Sequence, residues 1–110
     1  MIHLIQESAA DQQIREMLDV HESFIKLAVD ITRGILAGGG EFHADCESML
    51  IEAGSQRADV WGADWVPDER AVRFTALINI RPRLNESMEI QDVSVRQYVE
   101  RIARRLLQRP

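Results

Sequence analysis

Apolar residues along this chain recur with a period that switches between that of a strand and that of a helix. Residues 1–5, MIHLI, are short and β-prone. Ser8, followed three positions later by Asp11, resembles a capping box, and Ala10, Ile14, Met17 and Leu18 then recur at helical spacing to a predicted end near Val20. Phe24 to Ile31 is a continuous apolar run broken only by Lys26 and Asp30, as expected of a strand covered on both faces. Thr32-Arg33-Gly34 then forms a turn, a further strand follows, and Gly38, Gly39 and Gly40 bend or bulge the chain.

From Glu41 to Leu50 two patterns compete. Phe42, Ala44, Cys46 and Leu50 fit one side of a strand, with Glu41, His43, Asp45 and Glu47 on the other; Cys46, Met49, Leu50 and Ala53 fit a helix stopped by Gly54. The strand pattern is the one expected here. Residues 58–66 alternate, placing Trp61, Ala63 and Trp65 on one face, and Pro67 to Arg70 have turn chemistry. A strand is predicted over Ala71 to Ile80, with Val72, Phe74, Ala76, Ile78 and Ile80 opposite Arg73, Thr75, Leu77, Asn79 and Arg81. After a polar loop from Pro82 to Glu89, Asp92 caps a last helix with an apolar stripe of Val95, Tyr98, Val99, Ile102 and Leu106. These elements describe one α+β domain over residues 1–110: a meander-like antiparallel sheet of four to five strands, with an N-terminal and a C-terminal helix packed on one face.

At 110 residues the chain is long enough to bury roughly two-thirds of its unfolded surface and fold alone. No apolar run reaches bilayer-spanning length, and MIHLIQES lacks the basic flank and apolar core of a signal peptide, so a cytoplasmic protein with no membrane contact is expected. Cys46 is the single cysteine, which reads as a small buried hydrophobe. The net charge is −5. Residues 93–110 carry five arginines against only Glu100, but no aromatic stacking motif accompanies them, which argues against nucleic acid.

Candidate chemistry centres on Asp30 to Glu47, which holds four of the six glycines. On a strand, His43, Asp45 and Glu47 would share one face at roughly 6–7 Å intervals, a set able to bind a divalent metal or to run acid-base chemistry. The plainer reading is a solvated surface. Asp30, in an apolar strand, needs a partner, for which Arg33, Arg81 and His43 are candidates; a structural ion pair is favoured over a catalytic acid. Gly38, Gly39 and Gly40 lack the context of a dinucleotide or phosphate loop but, as clustered glycines that let another group approach the backbone, are candidates for ligand contact; the cofactor is left open. Asn79, Arg81 and Arg83 form a cluster able to hold a small anion, against the alternative of pairing with internal carboxylates. Trp61 and Trp65 read as core, with a subunit contact as the alternative.

At VDITRGILAGGGEFHADCE, VWGADW and LINIRPRLNESMEIQD the chain resembles a family of small bacterial proteins classed as a domain of unknown function. The resemblance spans nearly the whole chain and implies a bacterial, cytoplasmic, single-domain protein; it carries no activity, cofactor or catalytic residue. Function is therefore open. The leading expectation is a non-enzymatic binding or regulatory module acting as a homodimer. The alternative is an enzyme, metal-assisted, with His43 as ligand or base, Asp45 and Glu47 beside it, and Arg81 holding an anionic substrate.

Overall fold

The computed structural model describes residues 1–109. Five strands form one sheet: β1 (His3–Ile5), β2 (Ile25–Asp30), β3 (Ile35–Gly38), β4 (Val60–Val66) and β5 (Ala71–Arg73). Their spatial order is β1-β3-β2-β4-β5, and every neighbouring pair is antiparallel. Only β2–β3 and β4–β5 are consecutive in the chain. The other connections carry α1 (Asp11–Met17), between β1 and β2, and α2 (His43–Glu52), between β3 and β4; α3 (Val93–Leu107) closes the chain.

The central strand β2 explains the layering. Its side chains alternate between two buried faces, so both must be covered. Leu27 and Val29 join Trp61, Ala63 and Trp65 on the face packed by α1 and α3, including Met17, Ile102 and Leu106. The N- and C-terminal helices thus share one face, as the pattern predicts, and the two tryptophans are core. Ala28, Ile35, Ala37 and Val60 make the second apolar face, covered by Cys46 and Leu50 of α2.

That second face corrects the expected strand at 41–50. A further strand could not bury it, whereas a helix with Cys46 and Leu50 four apart does. Phe42 and Ala44, assigned to the buried side by the strand pattern, are exposed. The helix end supports the same outcome: Gly54, at φ +101°, donates to the Ile51 carbonyl at 3.0 Å and Ser55 donates to Leu50 at 2.9 Å, a Schellman closure.

The predicted strand over 71–80 is also cut short. Past Arg73 the chain makes an isolated bridge between Thr75 and Glu89 and then a 3₁₀ turn at Leu77–Asn79. Ile80 is consequently exposed and Asn79 buried, the reverse of the alternation. At the other end of the fold, α1 starts at Asp11 rather than at Ser8: Gln13 accepts the Ala10 N–H at 2.9 Å and completes the cap. Asp92 caps α3 as expected, accepting from Ser94 at 2.8 Å and Val95 at 3.3 Å. Tyr98, placed in the apolar stripe by spacing, is exposed beneath the Arg101 guanidinium.

Candidate functional site

Because α2 is helical, the H-x-D-x-E set does not share a face. Residues two apart on a helix point about 200° apart, so Asp45 turns away from His43. Its carboxylate instead accepts the Phe42 N–H at 3.3 Å at the helix start. Glu47, one turn on, is buried and accepts from Arg57 Nη1 at 2.7 Å. His43 Nε2 lies 2.8 Å from Asp64 Oδ1 and 3.2 Å from the Ala63 carbonyl on β4. Among the described residues no three His, Cys, Asp or Glu side chains converge on a common point.

The expected ion pair at Asp30 is replaced by backbone contacts. Asp30 Oδ1 accepts from Thr32 N–H and Arg33 N–H, each at 2.9 Å, and so holds the β2–β3 turn. The Arg33 guanidinium goes to the Ala53 carbonyl and Ser55 Oγ, while Arg81 and His43 bond elsewhere.

Asn79, Arg81 and Arg83 do not converge either. Arg81 lies with its guanidinium 3.8 Å from the Trp61 ring centroid and donates to the carbonyls of Ala58 at 2.8 Å, Arg57 and Val60. Burial pulls its pKa below the usual arginine range, opposed by the charges of Glu47 and Asp59. Asn79 is tied to the backbone of β4, and Arg83 is exposed at φ +70°. The glycines are packing positions: a Cβ would stand 2.9 Å from Leu27 Cδ2 at Gly38 and 3.1 Å from Cys46 Sγ at Gly40. Gly39, at φ +99°, has the Met1 carbonyl and the Met17 backbone against it.

What the fold does assemble is a groove of about 460 Å³ between the start of α2 and residues 75–78. Phe42, Ala44, Ala76, Leu77, Ile78 and Met88 supply an apolar lining, and Lys26, His43 and Thr75 its polar atoms. Phe42 is 59% exposed and Leu77 71%. Lys26 Nζ sits 5.6 Å from the Phe42 ring centroid. Thr75 Oγ1 donates to Glu89 at 2.6 Å. Cys46 is buried between α2 and the sheet, its thiol directed to the Lys26 carbonyl at 3.4 Å and its pKa pushed up by burial to about 11, so it stays protonated at neutral pH.

A second depression, about 540 Å³, shares Ile78 with the first and is lined by Glu47, Arg57, Arg81, Ile80 and Leu84. A third, about 570 Å³, runs along β1 from Leu4 to Ser8 and brings no reactive groups together.

A family model for proteins of unknown function, DUF5674, matches residues 3–106. The chain belongs to that family. No curated protein and no solved structure matches it. Membership agrees with the resemblance carried by the sequence motifs and adds no chemistry. Among the described residues no helix of this DUF5674 protein is long and apolar enough to cross a membrane.

Sequence reasoning found His43 but not its partner Asp64, which sits twenty-one residues away in the chain. Phe42, Leu77 and Met88 were also missed as groove residues. The signal that was available is Lys26, one of two charges, with Asp30, in the otherwise apolar central strand.

Proposed function

We propose that this protein is a non-enzymatic binding module that takes a small, largely apolar molecule in the groove at the start of α2. The observation that carries this reading is the groove itself: a concave, largely apolar surface within the size range of small-molecule sites, with a few polar residues in its lining. Large side chains, Phe42, Leu77 and Met88, stand open to solvent together there. The test is a titration of isotope-labelled protein with 1-octanol, followed by backbone amide shifts. Saturable shifts at Phe42, Ala76, Leu77 and Met88, lost in Leu77→Asp, support the reading; shifts spread over the surface, or none, end it.

The same reading has the module working in a bacterial cytoplasm as a homodimer. It is supported by the family motifs, the single free thiol, and the exposed Ile80 and Leu84 beside the second depression.

A second reading, an acid-base enzyme, is favoured by the His43–Asp64 pair, in which a carboxylate orients an imidazole at the groove wall. It keeps His43 and replaces Asp45 and Glu47 by Asp64. Turnover of p-nitrophenyl octanoate by the wild type, abolished in His43→Gln, would select it over the binding module.

A further inference from the structure

Among the described residues, Lys26 is the one lysine, arginine or acidic side chain lining the groove. It is the second residue of the central strand and points to the α2 side, where its cross-strand neighbour is Asp64. That carboxylate is engaged by His43 at 2.8 Å. Among the described residues no carboxylate oxygen comes within 4.0 Å of Lys26 Nζ, which rests over the Phe42 ring instead. Thr75, a polar residue of the lining, directs its proton to Glu89. The groove therefore pairs an apolar wall with an ammonium that has no ion-pair partner, and an ammonium beside low-dielectric walls is completed best by an anion.

Resting on the groove reading above, we propose that the molecule bound there is an amphipathic monocarboxylate, its apolar chain lying on Phe42, Leu77, Ile78 and Met88 and its carboxylate on Lys26 Nζ. Lysine suits such a head as a flexible point charge. A cationic or neutral head would leave the ammonium uncompensated, so the charge sets the chemical class and the apolar wall sets only size.

Calorimetric titration at low salt, near neutral pH, with octanoate, 1-octanol and octyltrimethylammonium tests this against wild type, Lys26→Met and Lys26→Gln. Methionine keeps the stem packed on Phe42, and glutamine keeps a polar end, so at least one variant should fold. Octanoate should bind the wild type about tenfold or more tighter than octanol, with the cation weakest, and both variants should lose that preference while retaining octanol affinity. If octanol equals octanoate, or if Lys26→Met leaves octanoate affinity unchanged, the carboxylate assignment is overturned while the groove reading stands. If none of the three binds, the groove reading falls and takes this inference with it.

Discussion

Asn79 and Gly62 are hydrogen-bonded to each other twice, through the side chain of one and the backbone of the other. The Asn79 carboxamide accepts from Gly62 N–H at 2.7 Å and donates to the Gly62 carbonyl at 3.0 Å, as a neighbouring strand would. β5 pairs with β4 only at Asp64 to Val66, so the side chain takes over where the strand stops. Its Nδ2 also reaches the Met88 carbonyl at 3.1 Å and fixes the following loop. Asn79→Ala should cost about 2–4 kcal/mol, because it orphans a buried donor and acceptor together. Asn79→Asp keeps the acceptor but faces a carboxylate against the Gly62 carbonyl, and should cost no less. Urea unfolding of both variants checks this; a loss below about 1 kcal/mol would mean that water replaces the side chain.

Gly39 makes a second structural prediction. Its φ of +99° and the Met1 carbonyl and Met17 Cα that an added Cβ would meet both oppose any side chain. Gly39→Ala should therefore destabilise by about 3 kcal/mol, roughly half from the backbone conformation and the rest from displaced neighbours. Gly54→Ala is the control, since its φ is similar but the nearest atom stands at 3.7 Å. It should cost about 1 kcal/mol. Equal melting temperatures for the two variants would contradict the close-contact argument.

The His43–Asp64 contact is part-buried, with 12% and 13% of the side chains exposed. On a solvated strand face His43→Ala would be harmless; here it should cost about 1–2 kcal/mol. A double-mutant cycle with Asp64→Ala should return a coupling of about 0.5–2 kcal/mol. Additive losses would show that the two side chains act on stability independently.

The parts of the fold legible in the sequence are those whose apolar residues form a continuous run or keep a strict period. β2 and the Trp61-Ala63-Trp65 face of β4 carry their pattern openly, and Asp92 announces α3 with a local hydrogen bond. α2 was obscured because Cys46 and Leu50 satisfy both periods, and what decides between them is a second apolar face built from Ala28, Ile35 and Val60, distant in sequence. The site was legible only in part for the same reason. His43 and Lys26 stand out by residue type, but Asp64 meets His43, and Leu77 comes to line one groove with Phe42, only after the sheet and α2 are assembled. Asn79 and Arg81 looked like an anion cluster because nothing local reveals that their donors are consumed by carbonyls of Gly62 and Ala58.

Burial of Cys46 predicts a pH dependence of stability. Its thiol is raised from an ordinary 9.0 to about 11, so between those values the unfolded chain loses its proton while the folded one keeps it. Fewer protons on the unfolded state make stability fall as pH rises, by roughly 1.4 kcal/mol per pH unit across that window and not below it. The difference between wild type and Cys46→Ala in urea unfolding isolates this contribution from other groups. A difference that stays constant from pH 8 to pH 10.5 would show an accessible, unperturbed thiol.

The loop held by Asn85 presents Leu84 at 81% exposure, with Ile80 at 48% beside it. Asn85 donates to the carbonyls of Ser87 and Glu89, each at 2.8 Å, so this apolar tip is a built feature. An exposed leucine on a rigid loop is an economical anchor for a second copy of the chain, and a stable dimer buries about 800 Å² per partner. Light scattering after size exclusion should give twice the 12.6 kDa chain mass for the wild type. Leu84→Asp should shift it to the monomer, with circular dichroism unchanged, because the side chain contributes little to the fold of one copy. A wild type that elutes as a monomer across a dilution series removes the homodimer from the proposed function and leaves the groove at α2 to be judged by its ligands alone.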